Sequence, residues 1–285
     1  MIKMPKFATL PAAFALALAL AAGPAAASGG ADVRMEPAPI NRLDVESLQR
    51  GARTFVNYCL NCHGAKFLRY NRLADLGLDP AMIQDNLVFT GKFDPKAAKL
   101  EWLPTKLGEP MTIAMRPADA KEWLKVVPPD LSVEARVRGS DWLYNYFLGF
   151  YRDDASSSGW NNLVFPNVGM PHVLWELSGS NRLVTTEFED MHKAEGAAIA
   201  AKRLAKVELL PGGKAALLTL AVDGQGAQKE DEYRHTVADL VNFLDYMSEP
   251  AKNTRISLGL IVLLYLGVLF VFAYWMKREY WKDIH

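Results

Sequence analysis

The chain has 285 residues, half of them apolar, and its 32 basic residues are matched by 32 acidic ones. That balance argues against a nucleic-acid partner, which needs a basic face. With Cys59 and Cys62 as the only cysteines, a zinc site built on two Cys-x-x-Cys pairs is excluded.

Lys3 and Lys6 precede an apolar run from Ala8 to Ala22, and Ala25-Ala26-Ala27 offers a small-residue cleavage site. Residues 1–27 therefore read as a secretory signal, with a short membrane anchor as the weaker alternative because the segment is only mildly apolar. It holds two of the basic residues and no acid, so the mature chain stays nearly neutral. Residues 28–40 are small, polar and proline-containing and read as an irregular arm. The domain proper is expected from about Asn41.

Asp44 is placed to cap a helix in which Val45, Leu48, Ala52, Phe55 and Val56 recur at helical spacing. That helix runs into Cys59-Leu60-Asn61-Cys62-His63. Cys-x-x-Cys-His is the spacing of covalent c-type haem attachment: one turn presents two thiols to the haem vinyl groups, and the adjoining imidazole faces the iron. A thioredoxin-like dithiol would instead open a helix after a strand. One covalently attached haem c is thus expected on Cys59 and Cys62, with His63 as an axial ligand, and the protein is expected to carry electrons.

From Phe67 to Pro171, glycine, proline and tryptophan are scattered and long periodic runs are few, which predicts loops and short helices around the cofactor. Ser140–Tyr151 is one clearer helix, with Trp142, Tyr146, Phe147 and Phe150 on one face. An electron carrier needs a sixth iron ligand, and a thioether sulfur stabilises the reduced iron. Met170, between Gly169 and Pro171 in an irregular segment, is one candidate. Met115, in Ile113-Ala114-Met115-Arg116-Pro117, is another, and His172 is a third. Residues 188–206 read as an alanine-rich charged helix, and Val207–Val222, around Pro211-Gly212-Gly213, as a hairpin. In Tyr233–Met247 the residues Val237, Leu240, Val241, Leu244 and Met247 form an apolar stripe, expected to pack on the motif-bearing helix. Finally, Ile256–Met276 is a run of 21 uncharged residues, against roughly 20 needed to cross a bilayer. Lys252, Arg255, Lys277, Arg278 and Lys282 flank it, with Tyr274, Trp275, Tyr280 and Trp281 as an interfacial belt. The charge bias places the Lys277 side in the cytoplasm.

These features occur in a telling order. Arg50-Gly51-Ala52-Arg53 leads to the haem motif, then come Pro128-Pro129-Asp130-Leu131-Ser132, Ala135 to Tyr144, Gly169-Met170-Pro171 and Phe243 to Pro250 before a single span. In this order they resemble the cytochrome c1 family over nearly the whole mature chain. The resemblance implies a mainly α, cytochrome c-like haem domain with long loops, occupying residues 28–253 in the periplasm. A transmembrane helix at 256–276 would follow, then a cytoplasmic tail at 277–285, in the bacterial inner membrane. It selects Met170 over Met115, because the family ligand follows the Pro-Pro-Asp-Leu-Ser element, and it gives Arg136 a haem propionate, with Arg138 nearby. It implies the electron-transfer haem subunit of the cytochrome bc1 complex, not catalytic alone. The implied partners are cytochrome b, the Rieske iron-sulfur protein and a soluble or membrane-bound cytochrome c. A membrane-anchored monohaem cytochrome serving a terminal oxidase or a denitrification enzyme is the alternative. His172-Val173-Leu174-Trp175 after Met170-Pro171 and the stretch 178–231 depart from the mitochondrial pattern, and the latter carries no assigned role.

Overall fold

The structure, a computed structural model, describes residues 33–93 and 102–282. The signal at 1–27 and the last three residues of the tail lie outside these.

The chain enters through strand β1 (Val33–Arg34) and helix α1 (Val45–Thr54). Asp44 caps α1 as expected, its carboxylate accepting from the Ser47 amide at 2.9 Å. The helix then widens into a π turn, Phe55–Cys59, at the entrance to the haem motif. Strand β2 (Ala65–Arg69), a 3₁₀ turn (Tyr70–Leu76), α2 (Pro80–Leu87), β3 (Gly91–Phe93), β4 (Trp102–Pro104), β5 (Pro110–Met111) and α3 (Pro117–Leu124) follow. The second half of the loop-rich region holds α4 (Glu134–Arg138), α5 (Ser140–Leu148), β6 (Phe150–Arg152) and β7 (Trp160–Asn162). Helix α5 ends at Leu148, three residues short of the expected Tyr151, because the chain turns at Gly149 into the β6–β7 ladder.

The mainly α expectation holds only in part: helices dominate, but a sheet is added. After α6 (Trp175–Ser178), β8 (Gly179–Phe188), α7 (Met191–Ala201), β9 (Ala205–Leu209) and β10 (Ala215–Gln225) build an antiparallel sheet in the order β1-β9-β10-β8. The β9–β10 hairpin is the one expected around Pro211. Its partner β8 was not expected: it pairs with β10 from Ala215↔Phe188 to Gln225↔Gly179, with a bulge between Val222 and Gly224. Gly179 makes this start possible, with φ +79° and a Cβ position only 1.9 Å from the Gly224 carbonyl oxygen. Helix α7 covers the sheet through a small core of Ala194, Ala198, Ala205, Val207, Ala215 and Leu217. The arm is irregular beyond β1 yet tied down: Glu36 pairs with Arg234, and its backbone exchanges hydrogen bonds with the Asn145 amide at 2.9 and 2.7 Å.

The main core lies between α1 and α8 (Glu230–Ser248). Val237, Leu240, Val241, Leu244 and Met247 are all buried, as their spacing demands. The two helices touch at backbone distance, since a Cβ on Gly51 would lie 2.0 Å from the Asp239 carbonyl oxygen. Phe55 meets Phe243 at 5.7 Å between ring centroids, and Arg50 grips Asp239 at 2.6 Å.

Helix α9 (Lys252–Tyr280) has 29 residues and no buried one, so it is about 44 Å long and long and apolar enough to cross a membrane. Pro250 lies in the break between α8 and α9. A set of charges holds the joint: Arg255 on Glu249 at 2.6 Å, Lys252 on Asp245 at 3.5 Å, and the partly buried Arg42 on Asp245 at 3.3 Å.

Candidate haem site

Cys59, Cys62 and His63 occupy one closed turn, because the Cys59 carbonyl accepts from the amides of both Cys62 (3.1 Å) and His63 (2.8 Å). Cys59 is buried and Cys62 partly so. Burial, reinforced by the neighbouring Cys62, pushes the Cys59 thiol up to about 12. A thiol held protonated at the C-terminal end of a helical segment is the opposite of the low-pKa thiolate that a thioredoxin-like dithiol uses.

His63 is oriented from outside its own helix. Its Nδ1 lies 2.7 Å from the Pro129 carbonyl, which can only accept, so the proton sits on Nδ1 and Nε2 keeps its lone pair for a metal. Burial lowers the His63 pKa, opposed by the Pro129 hydrogen bond and the nearby Glu134 and Asp130 carboxylates. The neutral imidazole is the form that ligates iron.

Pro129 is held in place by the residues after it. The Leu131 amide donates to the Gly64 carbonyl at 2.8 Å. Asp130 accepts from the Lys66 amide at 3.0 Å, and Ser132 Oγ accepts from the Phe67 amide at 3.1 Å. Asp130 also caps its own turn through the Ser132 amide and hydroxyl, at 3.0 and 2.5 Å. Pro128 to Ser132 is therefore a clip closed on the chain directly after the haem motif. Sequence reasoning used this pentapeptide only as a landmark, although Asp-x-Ser is a turn pattern that could have marked it.

The same loop reaches the second candidate ligand. Val126 Cγ1 lies 3.3 Å from where a Gly169 Cβ would stand, so the residue beside Met170 rests on the chain that orients His63. Met170 is partly buried against the main core and takes a hydrogen bond on Sδ from the Tyr146 hydroxyl at 3.4 Å. His172 is not a rival: it is 3 % exposed, stacked on Phe150 at 4.8 Å and bonded through Nε2 to Ser178 Oγ at 2.8 Å. Burial depresses it to about 4, so it is a neutral core residue.

The arginines diverge. Arg136 is 65 % exposed and approaches Glu249 at 4.0 Å, which takes it toward the joint with α9. Arg138 pairs with Glu134 at 3.0 Å and lies over the Trp142 ring at 4.4 Å, and Trp142 stacks on Tyr146 at 5.0 Å. The structure thus brings Cys59, Cys62 and His63 together and links Met170 to them through one loop, while Arg136 faces Glu249. Two thiols, an imidazole with a free Nε2 and a partly buried thioether form a donor set that fits a c-type haem.

Residues 36–284 match the family described as the cytochrome C1 family. Cytochrome c1 of Allochromatium vinosum is 41% identical over 260 residues, covering 91% of this chain and 93% of that protein. The ammonia monooxygenase gamma subunit of Nitrosomonas europaea is likewise 41% identical, over 258 residues, covering 90% of this chain and 92% of that one. Cytochrome c1 of Rhodospirillum rubrum is 26% identical over 257 residues, covering 85% and 84%. On this match, and on a haem-motif turn held by the Pro128–Ser132 clip, the chain belongs to the cytochrome c1 family.

Proposed function

We propose that this chain is the haem-bearing electron-transfer subunit of a bacterial ubiquinol:cytochrome c oxidoreductase, the cytochrome bc1 complex. The observation that carries the reading is His63, whose Nδ1 is fixed by the Pro129 carbonyl at 2.7 Å so that Nε2 is left for a metal. A c-type haem bound at this turn supplies reversible one-electron chemistry at iron. Cys59 and Cys62 would fasten it covalently, His63 and Met170 would ligate the iron, and Arg136 would meet a propionate. The chain accepts one electron from a Rieske iron-sulfur protein and hands it to a soluble or membrane-bound cytochrome c. No substrate bond changes, so the chain is not an enzyme by itself.

In this reading residues 28–253 form the haem domain in the periplasm, 256–276 cross the inner membrane beside cytochrome b, and 277–285 lie on the cytoplasmic side. Gly259 and Gly267 have no side-chain or backbone atom within 4 Å of a Cβ position, which leaves room for close approach of another helix. The test is isolation from membranes in mild detergent. The chain is expected to copurify with cytochrome b and a Rieske protein, to be reduced by ubiquinol, and to keep its colour through acid–acetone extraction. Pigment passing into the solvent, or copurification with a terminal oxidase or a denitrification enzyme instead, refutes the proposal.

The joint between α8 and α9 makes a further prediction. A chain ending at Asn253 keeps all of α8, the Arg42–Asp245 pair and Lys252, and of the ion pairs at the joint loses only that of Arg255 with Glu249. It should be released into the periplasm with haem attached and an unchanged spectrum. Its quinol-dependent reduction should fall, since one span supplies the high local concentration at the complex. Failure of the truncated chain to hold haem would make α9 part of the folding unit.

A further inference from the structure

The Met170 sulfur is not bare. Tyr146, near the end of α5, donates its hydroxyl to Met170 Sδ at 3.4 Å across 24 residues of sequence. The ring that carries this hydroxyl is held on several sides. Trp142 stacks on it with 5.0 Å between centroids and 13° between planes, and Phe147 and Phe150 meet it edge-on at 5.6 and 5.1 Å. Trp142 is in turn covered by the Arg138 guanidinium at 4.4 Å, which also lies 5.7 Å from the Phe165 ring, just upstream of Met170. The phenol therefore has little freedom to swing away from the sulfur.

A thioether sulfur has two lone pairs. One can face a metal while the other accepts a hydrogen bond, and the accepted bond draws electron density from the sulfur. A poorer donor stabilises the ferric state less than the ferrous state, so the hydrogen bond favours reduction. We infer that Tyr146 is a positioning residue for Met170: held by Trp142 and Arg138, it aims the sulfur and sets its donor strength, and so raises the reduction potential. This rests on the reading of Met170 as an axial ligand.

The test uses the full-length, haem-loaded protein in detergent, with potentiometric titration and the near-infrared sulfur-to-ferric charge-transfer band as readouts. Tyr146→Phe keeps the stacked ring and removes only the donor. The equilibrium constant for reduction is expected to fall two- to tenfold, a tenfold fall being about 59 mV for a one-electron couple, and the band to shift. Replacing Tyr146 by a ring-fluorinated tyrosine keeps the shape and strengthens the donor, and should move the potential upward. Opposite shifts in the two variants support the inference. Shifts of the same sign, or an unmoved potential and band in both, overturn it, and the fluorinated variant decides the matter should the phenylalanine variant lose its haem. Met170→Leu separates the two levels. If the band survives in that variant, the ligand reading itself has failed. If the band is lost there but neither Tyr146 variant moves the potential, only the role of Tyr146 has failed.

Discussion

Replacing Met170 by leucine is expected to lower the reduction potential by ~120 mV or more, two tenfold steps of about 59 mV each in a one-electron couple, while leaving the domain folded. Leucine keeps nearly the same volume, and such swaps usually cost under ~1.5 kcal/mol. Met170 is only partly buried against the core, which keeps that cost small. The sulfur, however, cannot be replaced by a neighbour. His172 is locked between Phe150 and Ser178, and Met111 and Met247 are wholly buried in the core. The sixth position should therefore open and admit carbon monoxide. Potentiometry with carbon monoxide difference spectra checks this, and an unchanged potential without carbon monoxide binding would move the ligand role to Met115.

Gly51→Ala is the other change of large expected effect, and it acts on stability. The added methyl would stand 2.0 Å from the Asp239 carbonyl oxygen and 2.7 Å from Phe243 Cβ. The first obstacle is backbone, so no rotamer relieves it and α1 must separate from α8. The cost should reach the upper part of the overpacking range, ~3 kcal/mol, out of roughly 5–15 kcal/mol for a whole domain. In a domain of this size that corresponds to a fall of about 6–12 °C in Tm. Thermal unfolding of the haem-loaded protein followed by circular dichroism measures it. A Tm within a degree or two of wild type would mean that the helices do not meet at backbone distance. Because α1 leads into the Cys59 turn, loosening this crossing should also slow the capture of haem.

What could be read from the sequence, and what could not, divides along physical lines. The Asp44 cap, the stripe on α8 and the long apolar helix were legible because each is a local pattern whose period or cap names the structure directly. The β9–β10 hairpin was legible from Pro211-Gly212-Gly213. Strand β8 was not: Gly179–Phe188 has only its first residue buried, and polar Asn181, Arg182, Thr185, Thr186 and Glu187 break any alternation. It is a strand because β10 pairs with it, a long-range cause that no local window shows. At the site, the haem motif announced itself, whereas Met170 was separable from Met115 only through the family resemblance. The Pro129 carbonyl could not have been found, since every residue has one and only the fold decides where it points. Tyr146 was visible as a member of an aromatic face but not as a donor to a sulfur 24 residues away.

The clip on His63 has a counterpart in the chain it encloses. Strand β2 pairs with β5 through Ala65↔Met111 and Arg69↔Pro110, and the Tyr70 and Asn71 amides donate to the carbonyls of Glu109 and Leu107 at 3.2 and 2.7 Å. The chain thus leaves at Tyr70 and returns at Glu109 through one seam, and its early part, Leu73, Leu76 and Ile83, is buried in the main core. Closing such an excursion costs only ~0.6 kcal/mol more for each doubling of its length. Lengthening or trimming the chain after Val88, away from both the seam and these core residues, should leave His63 where the Pro129 carbonyl puts it, so the domain can change size there without retuning its centre.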